Sequence, residues 1–220
     1  MQKFNTPAPV SAVLDIPAGR IRFIAADRAD TTVEVLPADA ANGRDVTAAE
    51  QTAVEFGDGV LRIEAKAKNR YFGSSGSVEV TVQLPAGSRV DAKAASAEFR
   101  TVGRLGDVVV DGSQVSLKLD EADTARLTTH DGDISVGRLG GAAEIRTQKG
   151  DIGITEAMKG TVVLRTEAGS ISVGAATGVS ASLDAGTAHG RIRNSLRNTG
   201  VAELNIQATT SYGDITARSL

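Results

Sequence analysis

Five glycines in the second half of the chain each precede a residue that could do chemistry or shape a turn. The units are Gly132-Asp133-Ile134, Gly150-Asp151-Ile152, Gly169-Ser170-Ile171, Gly190-Arg191-Ile192 and Gly213-Asp214-Ile215, with the glycines 18, 19, 21 and 23 residues apart. Carboxylates recurring at a fixed period could line up as a Ca²⁺ ladder. With Asp111 and Asp131, Asp133 and Asp151 could also form the acidic pair of a carbohydrate-cleaving enzyme. Neither chemistry suits the details. Calcium takes six or more oxygen ligands, yet Ser170 and Arg191 occupy the Asp position without breaking the pattern. Glycoside cleavage needs two carboxylates in a cleft, and sugar platforms are scarce with two Tyr and no Trp. Turn chemistry explains the units better: glycine reaches unusual φ values, and an Asp or Ser oxygen accepts a nearby amide. The reading is a chain with no catalytic residues, no metal site and no cofactor.

His130 and His189 each stand just before a repeat turn. Three repeats apart at roughly 4.8 Å each, they are too distant to share a metal. The absence of Cys removes disulfides and every thiolate site. Nucleophile-elbow, phosphate-loop and dinucleotide-binding patterns are missing as well. Two clusters suit binding. Lys66, Lys68 and Arg70 lie beside Tyr71 and Phe72 in a Gly/Ser-rich loop, which could hold a polyanion or a partner surface by charge and stacking. His189, Arg191, Arg193 and Arg197 form an anion patch with no aromatic residue nearby in sequence.

The elements that carry these residues are strands. Counting from each glycine, Ala125, Ala143 and Val162 share one position, and Leu127, Ile145 and Leu164 another. Thr129, Thr147 and Thr166 share a third; Ile134, Ile152 and Ile171 a fourth; Val136, Ile154 and Val173 a fifth. Alternation with period two means strands, and identity of type between copies means stacked columns. Self-similarity near 20 residues is the mark of a solenoid. The chain reads as an all-β, single-stranded β-solenoid of about seven coils of 17–22 residues. Their approximate spans are 90–106, 107–123, 124–141, 142–160, 161–178, 179–200 and 201–220. At one strand spacing per coil the stack extends on the order of 34 Å.

Residues 1–89 read differently. All five prolines, at 7, 9, 17, 37 and 85, lie here. Proline lacks a backbone donor and is kept out of interior strands. Short alternating runs, among them Val78, Val80, Val82 and Leu84, predict an antiparallel β cap on the solenoid of residues 90–220, the two forming one continuous structural unit. Gly57-Asp58-Gly59 predicts a tight turn, and Asp45–Gln51 a helical turn with Asp45 as N-cap.

The serial Gly-Asp-Ile-x-Val units, the run Val78–Gly87 before them and the ending Tyr212–Ala217 resemble the bacterial β-strand-repeat proteins of the toastrack-type, putative-adhesin family. The resemblance spans nearly the whole chain. It implies a domain of unassigned function, regarded as a binding or sensing platform, and carries no enzymatic residues with it.

Composition agrees with a folded chain whose partner is not nucleic acid. Of 220 residues 41% are hydrophobic, and 24 basic against 27 acidic side chains give a net charge of −3. No apolar run approaches a membrane span of roughly 18 residues. Residues 1–16 lack the apolar core of an export signal, so a chain starting at Met1 is expected in the cytoplasm, and one trimmed of a leader in the envelope or outside the cell. The functional expectation is a non-enzymatic binding or scaffold module for an unidentified protein or polymer. The alternatives are a carbohydrate-active β-helix enzyme or a self-assembling structural protein. The coil ending at Leu220 has no cap after it, which predicts self-association through that C-terminal coil.

Overall fold

Side chains alternate between buried and exposed along the longer strands, as strands with one face on a core require. The computed structural model describes residues 1–65 and 76–220. They fall into two compact units, Met1–Val115 and Ser116–Leu220. The first division therefore lies 26 residues beyond the expected end of the cap at 89.

The first unit contains β1 (Gln2–Asn5), β2 (Ser11–Ala26), β3 (Asp30–Pro37), α1 (Gly43–Gln51), β4 (Thr52–Gly57), β5 (Val60–Ala65), β6 (Val78–Pro85) and β7 (Arg89–Val102). It is not the purely antiparallel cap that its sequence suggested. The first half of β2 lies parallel between β5 and β7, and its second half parallel between β6 and β7. Period-two burial shows which face of a strand is covered but not which way its neighbour runs. The long path from β2 through β3, α1 and β4 supplies the crossover that a parallel pair needs. The resulting columns are Ile63–Leu14–Ala92 and Val80–Ile21–Phe99. All six side chains are buried, and Phe23 meets Phe99 at 5.6 Å between ring centroids.

Antiparallel strands occur where they were expected, on the outer side of this stack. β3 pairs with β6, β1 with β3, and β4 with β5. The β4–β5 turn places Asp58 at φ 50° and Gly59 at φ 75°, the left-handed pair of a two-residue hairpin turn. Phe4 of β1 and Phe56 of β4 meet at 5.2 Å. The N-cap of α1 is Asn42, not Asp45: its side chain accepts from the Arg44 amide at 3.1 Å. Asp45 is buried and accepts instead from the amides of Asp39 and Ser77, tying the helix to both flanking segments.

β8 (Arg104–Thr128) leads into the second unit, which holds β9 (Ile134–Leu139), β10 (Ala143–Arg146), β11 (Ile152–Ala157), β12 (Gly160–Arg165), β13 (Ile171–Ala175), β14 (Ala181–His189), β15 (Ile192–Ser195), β16 (Leu204–Tyr212) and β17 (Ile215–Ser219). These strands make two parallel columns, as the repeat predicted. One runs β8 (117–122), β9, β11, β13, β17, β15. The other runs β8 (125–128), β10, β12, β16, β14.

The order of levels departs from the chain order. After β13 the chain passes over one level, builds β14 and β15, then returns so that β16 and β17 fill the gap. The expectation that the coil ending at Leu220 is the open end is therefore corrected. Leu204, Ile206 and Ile215 are buried and flanked on both sides. The open level is β14–β15, where Leu183 is half-buried and Ile192 is 46% exposed.

Two outcomes test this arrangement. Ile152→Asp puts an unpaired charge between Ile134 and Ile171 and should cost more than about 4 kcal/mol, unfolding the chain at moderate temperature. Ser172→Asp, on the exposed face, should melt within a few degrees of the parent. In the first unit, Arg28 and then Lys3 hydrogen-bond to Asp30, which joins β1 to β3, and hold its carboxyl down from 3.8 to about 2. A depressed acid stabilises above its unfolded-state pKa and loses that contribution as pH falls through its folded value. Asp30→Asn should thus lower the melting temperature at pH 7, and the difference from the parent should vanish as pH falls from about 4 towards 2.

Candidate functional site

The glycine turns sit directly over one another along the second unit. A Cβ on Gly150 would lie 2.2 Å from the carbonyl oxygen of Gly132; on Gly169, 1.9 Å from that of Gly150; on Gly213, 2.0 Å from that of Gly169; on Gly190, 1.9 Å from that of Gly213. No other residue leaves room for that carbonyl. The order is 132, 150, 169, 213, 190, matching the strand order.

The residues flanking each glycine bond from level to level. Asp133 accepts from the Asp151 amide at 2.8 Å, Asp151 from the Ser170 amide at 2.7 Å, and Asp214 from the Arg191 amide at 2.9 Å. Ser170 accepts from the Asp214 amide at a longer 3.4 Å. On the other side of the glycines, Thr147, Thr166, Thr210 and Thr187 donate to the carbonyls of Gly132, Gly150, Gly169 and Gly213. Of the carboxylates that could have held calcium or cleaved sugar, Asp133 and Asp151 are thus backbone acceptors. Among the described residues no group of three or more His, Asp or Glu is placed to hold a metal ion. Arg191 differs from Asp because its level has no further amide to receive: the last rung needs no acceptor.

The four residues of the expected anion patch all fall on that last level, His189, Arg191 and Arg193 around the turn from β14 to β15, and Arg197 beside the first residue of β14, where its carbonyl accepts from the Ala181 amide. His189 ends β14, Arg191 and Arg193 flank Ile192 at the start of β15, and Arg197 follows β15, its amide donating to Ser219 Oγ at 2.9 Å. All four side chains are exposed. Arg193 faces Asp214 at 3.8 Å. Sequence reasoning missed an aromatic partner. Tyr212 pairs in register with His189, and the rings stack at 4.7 Å with 10° between their planes. Both residues directly precede a glycine of the repeat, so they share a column, but only the inverted level order makes them neighbours. The other candidate group, Lys66, Lys68, Arg70, Tyr71 and Phe72, lies outside the described residues.

The family model described as Toastrack DUF4097 matches residues 13–219. No curated protein matches the chain. Solved structures resemble it at low identity. A putative adhesin from Parabacteroides distasonis is 17% identical with a TM-score of 0.46, covering 98% of this chain and 95% of its own. A putative adhesin from Bacteroides fragilis is 13% identical with a TM-score of 0.42 and the same coverage. A putative lipid binding protein from Parabacteroides distasonis is 13% identical with a TM-score of 0.43, again over 98% and 95%.

The rung assignment makes a graded prediction. Asp151→Ala removes a carboxylate acceptor from the Ser170 amide and should cost about 1–2 kcal/mol. Arg191→Ala should be nearly neutral, because the Arg191 side chain supports no further level. Calcium or a chelator should leave both melting temperatures unchanged; a calcium-dependent rise of several degrees would contradict the backbone-acceptor role.

Proposed function

The chain belongs to the Toastrack family, and we propose that it works as a non-enzymatic binding or scaffold module whose contact surface is the last level of the second unit. The observation that carries this reading is the placing of Arg191 and Arg193 just after the His189–Tyr212 stack, with Arg197 further along the same level, where β14 and β15 are bonded from a single side among the described residues. Elsewhere along the glycine turns the acidic side chains are committed to neighbouring amides. That commitment supports a structural rather than catalytic use of Asp133 and Asp151. The cations on the last level are not so committed: Arg191 and Arg197 have no ion-pair partner among the described residues, and Arg193 has only the longer contact to Asp214.

Exposed guanidinium groups beside a flat aromatic pair suit an anionic partner, through charge, bidentate hydrogen bonds and stacking. The net charge of −3 sharpens the test, since the chain as a whole should be repelled by an anionic matrix. Retention then requires a local cationic surface. On immobilised heparin at low salt the parent should be retained. The triple variant Arg191→Glu, Arg193→Glu and Arg197→Glu should flow through with an unchanged melting temperature. A parent that flows through, or a variant retained equally, would refute the assignment of the surface.

A further inference from the structure

β14 and β15 are bonded on one side only. Among the described residues β14 pairs with β16 alone and β15 with β17 alone. The return segment closes the first residue of β14, where the Ala181 amide donates to the Arg197 carbonyl at 2.9 Å. Along the rest of the level the outer backbone groups face no further strand. The core columns also end unfinished here. Leu183 continues the buried column of Val162 and Ile206 but is only half-buried, and Ile192 continues that of Ile171 and Ile215 but is 46% exposed.

Arg191, just before β15, and Arg193 within it stand at alternate positions on either side of Ile192, with Ser195 next in their row; Arg197 follows the strand in the return segment. Arg218, exposed and in register with Ser195, adds a cation on the neighbouring strand. Acidic groups on or beside this level are Asp214, facing Arg193, Asp184 on β14, and exposed Glu203, whose amide donates to the Ser180 carbonyl. A strand laid against β15 would therefore meet Arg191 and Arg193 at alternate positions, Arg218 on the next strand beside Ser195, and the unfinished apolar column at Ile192.

Resting on the proposed binding role, we infer that this edge accepts an extended acidic polypeptide segment, which adds as the next strand with carboxylates and apolar side chains in alternation. Charge complementarity selects this occupant. A second copy adding β15 against β15 would place arginine rows opposite each other at roughly 5 Å between Cβ atoms, a repulsive arrangement. An acidic polysaccharide would satisfy the arginines but leave the strand's amides and carbonyls unpaired. Strand addition takes affinity from main-chain hydrogen bonds and selectivity from alternate side chains.

The test uses a dye-labelled peptide of alternating valine and glutamate, its lysine counterpart, and a glutamate peptide N-methylated at alternate residues, each titrated against the intact chain by fluorescence anisotropy. The glutamate peptide should bind, the lysine peptide should not, and N-methylation should weaken binding at least about tenfold by removing strand donors. Arg191→Glu with Arg193→Glu should weaken it to a similar degree. Ser135→Asp, on the exposed face four levels from β15, should not change it. Equal binding of the N-methylated peptide would overturn strand addition. Heparin binding without peptide binding would overturn the polypeptide partner while leaving the anion surface intact; failure of both would remove the surface as well. Concentration-dependent dimerisation that disappears in the arginine variant would assign the edge to a second copy and overturn the acidic partner.

Discussion

The second unit depends on how closely one turn approaches the next. In each successive pair of levels, the carbonyl oxygen of one glycine sits about where the Cβ of the next would be. Contact at that distance fixes the register of the strands on both sides, so the apolar columns and the polar ladders follow from it. Once the turns are superposed, the amide after each glycine points at the side chain of the level below, and a short acceptor there closes a bond. The glycine carbonyl in turn accepts from the threonine of the next level. Glycine, Asp and Thr are therefore one device, repeated, for satisfying backbone groups where strand pairing lapses.

Columns were legible in the sequence because a column is a statement about position within a repeat. The placement of Ile134, Ile152, Ile171, Ile192 and Ile215 at one position needs no knowledge of which is next to which. Level order is a different quantity, and the pattern is silent on it: every coil offers the same column residues to either neighbour. Two weak signals did exist. The glycine spacings lengthen from 18 and 19 to 21 and 23 where the chain skips a level and returns. Arg191 also replaces the acceptor on one rung, and only a terminal rung can do without it.

The same distinction explains the first unit. Alternation along β2 and β6 identified the buried face, and the Gly57-Asp58-Gly59 turn was readable because two left-handed residues admit few alternatives. Strand direction was not readable. β2 and β3 have similar patterns, yet one pairs with β6 parallel and the other antiparallel. Likewise, the cations Arg191, Arg193 and Arg197 were visible as neighbours in sequence, whereas Tyr212 meets His189 through level order alone.

Inverted order has a consequence for how the edge level is made. β14 and β15 leave the chain before their partners β16 and β17 exist, and those partners come from the last residues of the sequence. Until Leu204–Ser219 is in place, β14 and β15 have no strand on either side. In the folded chain that segment lies between β12 and β13 on one side and β14 and β15 on the other. It gains backbone bonds on both sides, while the level it supports gains them on one. Local opening free energy rises with the number of protected backbone bonds and buried apolar contacts. The edge level is thus the least protected part of this stack, although the final coil beneath it is held from both sides. A strand added to that edge would complete the half-covered Leu183 and Ile192, so binding and stabilisation of β14–β15 would be one event.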